Sequence, residues 1–288
     1  KSQPMIILAD SGSTKTHWSL ISSQNVRNIQ TSGLNPFFNG AELAEKEIST
    51  KQVLRQNQTL AEKVYFYGAG CGNDKNCGLM EKALQRAFTR AKVSVYSDLL
   101  GAARGLFLDQ KGIACILGTG SNSGLYNGKR IVRTTPALGY ILGDEGSGNH
   151  LGKRLLKAYL HQDLPAELTR KFREKHPESA DAILSELYHH PYPNRYLAGF
   201  THFLRENKAH PYLHGLLKDV FNQFLSLLKK HYPHEVIGSV RMTGSVARAF
   251  DRELKEAAGE LNMEITHIDP SPMEGLIKYH QRELQQEN

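Results

Sequence analysis

The chain lacks several features that would mark a special class of protein. It has only three cysteines in 288 residues, Cys71, Cys77 and Cys115. Because the cysteines are few and odd in number, we expect free thiols in a reducing compartment rather than a disulfide scaffold. No apolar run approaches the roughly 20 residues of a membrane span, and no charged, cleavable leader precedes the first apolar segment. We therefore expect a cytoplasmic protein with no membrane partner.

Clusters of basic residues are also missing. The formal net charge is +7, yet Lys and Arg alternate with acids in stretches such as "REKHPE" and "DRELKEAAGE". Nucleic-acid binding usually concentrates basic residues on one element, so we expect no nucleic-acid partner. With 40% hydrophobic and 23% charged residues, the composition is that of a globular protein long enough for two medium domains or one large one.

The first half of the chain alternates strand and helix signals. "MIILAD", "THWSLI" and "VRNIQT" predict three sequential strands joined by short turns. A helix is expected over residues 40–55, and the apolar spacing from Leu79 to Ala91 predicts another. "KVYFYGAG" and "KVSVYS" read as further strands, and "LLGAARGLF" as a helix.

The second half repeats this order. "GIACILGTGSNSGLYNGKRIVRT" again gives three strands with short turns. Residues from about 163 to 233 form a predicted all-helical insert, with one apolar stripe made of Leu213, Leu217, Val220, Phe221, Phe224 and Leu228. "SVRMTGSVA" predicts a strand that enters a helix, "NMEITHID" predicts a strand, and a helix closes the chain. We predict one domain over 1–111 and a second over 112–288, with the helix at about 272–288 packing back on the first.

Each copy opens with a hairpin rich in small and hydroxyl residues, "DSGSTKT" and then "GTGSNSG". An ordinary hairpin needs only two turn residues. Turns with many backbone N–H groups and hydroxyls suit phosphate, and the first also carries a cation. The turn leads into a strand and lacks the GxxxxGK[ST] pattern, so it is not a Walker loop. Two such turns facing each other would make a cleft for a nucleotide.

These segments together resemble the sugar-kinase, actin and Hsp70 superfamily of ATPases. Within it the chain is similar to the BadF/BadG/BcrA/BcrD ATPase family and, more closely, to the N-acetylglucosamine kinases. The resemblance rests on "LADSGSTKT", on "YSDLLGAARG" followed by "ILGTGSN", on "LGYILGDEGSG" and on "MTGSVA", in that order. It implies an α/β fold of two ribonuclease H-like domains with a central cleft, the second carrying the helical insert.

The resemblance also implies roles for particular residues. Asp10 would help to hold Mg²⁺ through water, and Asp98 would be the general base that takes a proton from the sugar hydroxyl, although an Asp in that place could simply cap a helix. The predicted ATP-binding residues are Gly12, Ser13, Thr14, Lys15, Thr16, Thr119, Gly244 and Ser245. The predicted sugar-binding residues are Asn35, Gly120, Ser121, Asn122 and Asp144.

The activity so implied is ATP-dependent phosphorylation of an N-acetylated amino sugar, with N-acetylglucosamine 6-phosphate as the first expected product and ATP and Mg²⁺ as cofactors. N-acetylmuramic acid remains an alternative substrate. Two other classes stay open, a dehydratase-activating ATPase with an iron–sulfur cluster shared between subunits and a sugar-binding regulator without catalysis. A homodimer is left open. No metal site is expected among the proline-flanked histidines, which are His189, His190, His210, His214, His231 and His234.

Overall fold

A computed structural model describes residues 5–22, 25–36, 40–235 and 240–286. The first sheet begins with an antiparallel meander of three strands, to which two parallel strands are added on the other side. Its order is β3-β2-β1-β4-β5. These strands are β1 (Met5–Ser11), β2 (Lys15–Ile21), β3 (Val26–Ser32), β4 (Ala61–Gly68) and β5 (Lys92–Ser97).

The first sheet is covered on both faces because β1 is apolar at every position from Ile6 to Ala9. Ile7 and Ala9 pack in one buried cluster, whereas Ile6 and Leu8 pack in another. Alternate side chains of a strand point to opposite faces, so a central strand of this kind needs helices on both sides. The helices of this part of the chain are α1 (Gly40–Thr50), α2 (Gln52–Gln56), α3 (Asp74–Ala87) and α4 (Asp98–Phe107).

Two helix predictions need correction. The helix expected over 40–55 is interrupted at Lys51, whose backbone is extended. The hydroxyls of Ser49 and Thr50 bond back to the Lys46 carbonyl oxygen at 2.9 and 2.8 Å, a contact that competes with helix continuation. The second helix is α3, which ends at Ala87 rather than reaching Ala91.

The second sheet has the order β10-β9-β6-β7-β8. Its first three strands in the chain occupy the places of β1, β2 and β3, and its last two occupy those of β4 and β5. The predicted duplication is therefore confirmed, and with it the α/β fold class. The strands are β6 (Lys111–Leu117), β7 (Ser121–Asn127), β8 (Ile131–Thr134), β9 (Val240–Thr243) and β10 (Ile265–Asp269).

The helices of the second half include the predicted insert. They are α5 (Gly139–Leu142), α6 (Gly148–Leu160), α7 (Ala166–Lys175), α8 (Ala180–His189), α9 (Pro193–Gly199), α10 (Thr201–Asn207), α11 (Pro211–His231), α12 (Ser245–Ala249), α13 (Asp251–Glu260) and α14 (Met273–Gln286). All six residues of the predicted apolar stripe are buried in α11. The closing helix was expected to reach 288, and positions 287 and 288 lie outside the described residues.

The chain divides into two compact units. The first comprises residues 1–111, 126–132 and 271–288, and the second comprises 112–125 and 133–270. In the first unit, α14 packs on α4, and the Tyr67 hydroxyl lies 2.8 Å from His280 Nε2. In the second, β6 and β9 share a core with the insert helices. No helix within the described ranges is both long and apolar enough to cross a membrane.

Candidate functional site

The first hairpin turn is shorter than the sequence suggests, because β1 and β2 extend into the motif. Only Gly12, Ser13 and Thr14 connect the two strands. The Gly12 N–H donates to the Lys15 carbonyl oxygen at 3.0 Å, which closes the turn. Thr14 and Lys15 are exposed, and Ser13 is half-buried. The turn therefore presents hydroxyls and one cation at the end of β1.

Behind this turn, two hydroxyls fasten the meander from inside. Ser11 Oγ lies 2.8 Å from Thr16 Oγ1, and Thr16 Oγ1 donates to the Ser32 carbonyl oxygen at 2.9 Å. The Leu34 N–H donates to Ser11 Oγ at 2.9 Å. Thr16 is fully buried, so its side chain supports the turn from within the sheet. Asn35, 7% exposed, follows directly on this segment and thus lies beside the first turn.

Two carboxylates stand at strand ends near the same turn. Asp10 pairs in register with Tyr67 of β4, and Asp98 immediately follows β5, the neighbour of β4. Asp98 does not cap its helix. Ser97 is the N-cap, accepting the Leu100 N–H at 3.2 Å, whereas Asp98 Oδ1 accepts the Leu99 N–H at 2.8 Å. The structure thus leaves the capping of α4 to Ser97.

The pKa of Asp10 is raised to about 7, first by burial and then by the nearby charge of Asp98, while Ser271 and Lys15 act in the opposite direction. Burial likewise raises the pKa of Asp98 to about 6, against a lowering by the hydrogen bond from Leu99. Each side chain keeps a partly exposed face. Since the two acids interact, their protons come off in two steps that belong to the pair. A bound cation or a proton would relieve the repulsion between these two carboxylates.

The second hairpin turn also has three residues, Gly118, Thr119 and Gly120. The Gly118 N–H donates to the Gly120 carbonyl oxygen at 3.0 Å. Unlike the first turn, this one is tied to a helix start. The N–H groups of Gly148 and Asn149 donate to the carbonyl oxygens of Gly118 and Thr119 at 2.8 and 3.0 Å. The first amides of α6 are thereby satisfied by the turn.

Asp144 lies over this second turn. Its backbone is left-handed, with a φ of 57°, which is uncommon for a residue with a side chain. The Ser121 N–H donates to Asp144 Oδ1 at 3.4 Å, and Asn149 Nδ2 donates to Asp144 Oδ2 at 2.7 Å. A Cβ atom at Gly120 would stand 3.0 Å from Asp144 Oδ2, so glycine is what permits this approach.

Desolvation raises the pKa of Asp144, and the hydrogen bonds from Asn149 and Ser121 lower it. Lys153 also lowers this pKa, and Glu145 raises it. The cap of α6 is Ser147, whose Oγ accepts the His150 N–H at 3.3 Å. Asp144 is therefore not needed to cap the helix.

Sequence reasoning missed Asn149, the residue that joins Asp144 to the turn. It is fully buried, and its Nδ2 also donates to the Thr119 carbonyl oxygen at 2.8 Å. The residue follows the Gly-rich loop, where an Asn is unremarkable. Its partners lie 5 and 30 positions away along the chain, so only tertiary packing reveals the contact. Asn122, in contrast, uses its Oδ1 to accept the Ser123 N–H at 2.9 Å.

The predicted nucleoside segment has a structural requirement of its own. Gly244 has a φ of 122°, and a Cβ atom there would lie 2.3 Å from the Leu117 carbonyl oxygen. Its N–H donates to the Asp269 carbonyl oxygen at 3.0 Å. Ser245 begins α12 directly after it. Tight packing against the end of β6 is sufficient to require glycine here, whatever the segment binds.

The cysteines and histidines form no metal centre in the described part of the chain, where no group of three or more His, Cys, Asp or Glu side chains could hold an ion. All three cysteines are free. Burial raises the pKa of Cys71 to about 12, which disfavours a thiolate. The prolines near these histidines mark helix starts, since Pro193 and Pro211 begin α9 and α11. His210 Nδ1 caps α11 by accepting the Tyr212 N–H at 3.2 Å.

Two units with a shared strand order, each opening with a hydroxyl-rich hairpin, define the class of the sugar kinase and actin-like ATPase superfamily. No protein-family model matches the chain, and no curated protein is significantly similar to it. Solved structures do match. A candidate N-acetylglucosamine kinase from Porphyromonas gingivalis is 36% identical, with a TM-score of 0.90 over 96% of this chain and 99% of that one.

More remote structures share the fold. A candidate N-acetylglucosamine kinase from Chromobacterium violaceum is 20% identical, with a TM-score of 0.76 over 97% of this chain and 99% of that one. A ROK-family glucokinase from Streptomyces griseus, in complex with glucose and AMPPNP, is 12% identical, with a TM-score of 0.59 over 96% and 97%. On the 36% match over nearly its whole length, the chain belongs to the N-acetylglucosamine kinase-like family of sugar kinases.

Proposed function

We propose that the protein transfers the γ-phosphoryl group of ATP to an N-acetylated amino sugar, with the 6-hydroxyl of N-acetylglucosamine as the first candidate acceptor. N-acetylmuramic acid remains a second candidate, since its ring offers the same acetamido group and 6-hydroxyl. The observation that carries the proposal is the pair of desolvated carboxylates, Asp10 and Asp98, beside the first hairpin turn. The 36% identity to the Porphyromonas gingivalis protein supports the choice of sugar.

Asp98 is the proposed general base. It would accept the proton of the sugar 6-hydroxyl as that oxygen attacks the γ-phosphorus, while the bond from the γ-phosphorus to the β,γ-bridging oxygen breaks and ADP leaves. A carboxyl group with a pKa of about 6 is largely ionised at neutral pH and still basic enough to take a proton. Phosphoryl transfer asks mainly for positioning and charge stabilisation, and the fixed place of Asp98 at the start of α4 supplies positioning.

The residues present fit a magnesium ion near Asp10. Mg²⁺ prefers oxygen ligands, keeps several waters and is commonly held by one or two carboxylates together with substrate phosphates. Asp10 with its neighbour Asp98 offers such oxygens, and their repulsion would be relieved by a cation. When bound, Mg²⁺ would neutralise charge on the phosphates. Asp10 is its proposed holder, through water.

Each unit is proposed to contribute one phosphate-binding turn. In the first, the backbone at Gly12 and Ser13, the Thr14 hydroxyl and the Lys15 ammonium group would contact the β- and γ-phosphates, with Thr16 bracing them from inside. In the second, Thr119 would take the corresponding place. Gly244 and Ser245 are proposed to lie against the nucleoside, where glycine adds no side chain.

The proposed sugar contacts are Asp144, Gly120, Ser121, Asn122 and Asn35. Asp144 would accept hydrogen bonds from ring hydroxyls, because each of its oxygens has so far only one protein donor among those described and a carboxylate oxygen can accept more than one. Asn122 is proposed to face the acetamido group.

A panel of acceptors tests the proposal. ADP release would be measured with N-acetylglucosamine, N-acetylmannosamine, N-acetylmuramic acid, glucosamine, glucose and no sugar. We expect ADP release to depend on an N-acetylated sugar, with the product phosphorylated at O6 by NMR. Release that is equal with and without sugar would contradict the kinase assignment. Equal rates with glucose and N-acetylglucosamine would contradict the proposed acetamido recognition.

A further inference from the structure

Asn149 makes two hydrogen bonds that join segments far apart in the sequence. Its Nδ2 donates to Asp144 Oδ2 at 2.7 Å and to the Thr119 carbonyl oxygen at 2.8 Å. Its own backbone N–H donates to the same Thr119 oxygen at 3.0 Å. One buried amide thus connects the candidate sugar loop, the second hairpin turn and the start of α6.

The orientation of this amide is determined by its partners. Both hydrogens of Nδ2 point at acceptors, and rotating the group by 180° would bring Oδ1 against a carbonyl and a carboxylate oxygen instead. Oδ1 is buried and has no hydrogen-bond partner within the described protein. A buried acceptor without a partner costs about 1–3 kcal/mol. This cost offsets part of what the two Nδ2 hydrogen bonds contribute to stability.

The Asn149 amide bears on the position of the Asp144 carboxylate. The left-handed backbone of Asp144 does not by itself fix the carboxylate, and among the described residues the one donor to its other oxygen is the Ser121 N–H, at 3.4 Å. The 2.7 Å bond from Asn149 is the shorter of the two. Both donors bond to a charged acceptor, and a separation of 3.4 Å is long for such a bond, so Asn149 is the main restraint on the position of this carboxylate.

We propose that Asn149 is a positioning residue that locks the Asp144 carboxylate onto the second hairpin turn in the geometry that receives the sugar hydroxyls. This inference rests on the proposed function, because it takes Asp144 as a sugar-binding group. Asn149 itself need not touch the sugar. Its role would be to keep Asp144 ionised and aimed, and to make the sugar loop and the turn move as one piece.

The charged groups around Asp144 define what a pH experiment should show. Lys153 favours its ionised form and Glu145 disfavours it, while the Asn149 and Ser121 donors favour it. Desolvation and Glu145 raise the pKa of Asp144, and the Asn149 donor lowers it. Without that donor, Asp144 should therefore keep its proton up to a higher pH. Sugar affinity, if it depends on the ionised carboxylate, should then require a higher pH as well.

Two variants separate positioning from simple structure. Asn149→Ala removes the donor. We expect its sugar affinity, measured by calorimetry without ATP, to fall about tenfold or more. The loss of sugar affinity on acidification should also begin at a higher pH than in the wild type. Asn149→Asp keeps the shape but places a second acid beside Asp144. We expect its sugar affinity to fall further as pH rises, the opposite trend to the wild type. Asn207→Ala is the control, since it removes an amide bonded to the Phe203 carbonyl oxygen in the same unit.

A measurement without sugar or ATP distinguishes this inference from the proposed function. The Asp144 carboxyl titration would be followed by carbon-13 NMR, assigned with Asp144→Asn. A higher pKa of the Asp144 carboxyl group in Asn149→Ala, with no change in Asn207→Ala, would support the positioning role even if no amino sugar were phosphorylated. If the wild type is an active amino-sugar kinase and Asn149→Ala changes neither the Asp144 titration nor sugar affinity, the inference is overturned. Thermal melts of both variants would show that the fold is kept.

Discussion

The two hairpin turns occupy equivalent places in two copies of one fold and are chemically different. Each has three residues between strands that are equivalent in their sheets. The first ends in an exposed Lys15 and stands next to Asp10. The second is followed by Ser121 at the position equivalent to Lys15, and its carbonyl oxygens are bonded to α6. Duplication kept the backbone of the turn and left its chemistry free to diverge.

The carboxylates near the turns differ in the same way. Burial raises the pKa of Asp10 to about 7 and that of Asp98 to about 6, even though Ser271 and Lys15 act against the shift at Asp10 and the Leu99 N–H acts against it at Asp98. Asp144 is also desolvated, yet it is offered two protein donors and the charge of Lys153. Two desolvated carboxylates that repel each other suit a cation and a proton in transit, whereas a single carboxylate held by two donors suits recognition of hydroxyls. The comparison supports the proposed roles of Asp98 as the base and of Asp144 as a sugar-binding group.

The largest effect is expected from Asp98→Asn. The amide cannot act as the base, and general-base catalysis contributes about 10²–10⁴-fold. We expect the lower part of that range, because the transition state of phosphoryl transfer is loose. The fold should survive, since Ser97 and not Asp98 caps α4. Steady-state turnover with the preferred sugar is the measurement.

Asp74→Asn is a matched control for Asp98→Asn, because Asp74 is the first residue of α3 and likewise follows a capping residue, Asn73. It is exposed, so its turnover should equal that of the wild type. Near-normal turnover in a folded Asp98→Asn protein would remove the base role, and with it half of the comparison with Asp144.

Much of this architecture could be predicted from sequence, because the signals were local. The strands, the duplication and the buried stripe of α11 follow from hydrophobic periodicity. The errors were local as well. Ser49 and Thr50 end a helix by bonding back to the chain, and Leu79 is 46% exposed while Met80 takes the buried place. When two adjacent residues are both apolar, the sequence pattern does not show which of them faces the core.

The site was predictable only in part for a different reason. The sequence motifs allowed prediction of Asp10, Asp98 and the turn residues, because each motif is recognisable from its residue types and their order. Asn149 and Ser97 could not be predicted in this way, because their importance depends on which groups they contact. Ser97 takes the cap that Asp98 was a candidate for, and Asn149 bonds a residue 30 positions earlier. Hydrogen-bond partners across a fold cannot be read from spacing alone.

The second largest effect is expected at Lys15, the cation that distinguishes the first hairpin turn from the second. Lys15→Ser gives the first turn the residue found at the equivalent place of the second. We expect the ATP KM to rise about 10-fold to 100-fold, since a hydrogen bond to a charged group contributes about 1.5–3 kcal/mol, with sugar affinity alone unchanged. Lys129→Ala, at an exposed lysine of another hairpin, is the control. Loss of sugar binding with an unaltered ATP KM would reverse the assignment of this turn.

A smaller effect should follow from Gly120→Ala in the second turn. The new Cβ atom would stand 3.0 Å from Asp144 Oδ2, and the carboxylate, held by Asn149 and Ser121, must shift by a few tenths of an ångström. We expect a several-fold rise in the sugar KM and little change for ATP. Gly118→Ala in the same turn meets nothing within 4 Å and should be silent. Equal effects of the two changes would mean that the closeness to Asp144 is irrelevant.

The smallest effect is on stability, and its sign separates the carboxylate pair from an ordinary surface acid. The pKa of Asp10 is about 7 in the folded protein, against 3.8 for an ordinary Asp. The folded state therefore binds the proton more tightly than the unfolded state does. The stability that Asp10 contributes is fully present below about pH 4 and is lost as pH rises through 7.

Asp10→Asn never carries the charge, so without ligands it should melt above the wild type at pH 8 and level with it at pH 4. We expect a difference of a few degrees, since about 1 kcal/mol moves the Tm of a chain of this size by roughly 2–4 °C and the partly exposed face of Asp10 reduces the full effect. Mg²⁺ should raise the Tm of the wild type at pH 8 by more than that of Asp10→Asn, because the variant lacks the carboxylate that is the proposed holder of the ion. Asp74→Asn should follow the wild type at both pH values. A lower Tm for Asp10→Asn at pH 8 would show that Asp10 is a stabilising acid whose charge is already compensated within the fold, and the contrast with Asp144 would then have no electrostatic basis.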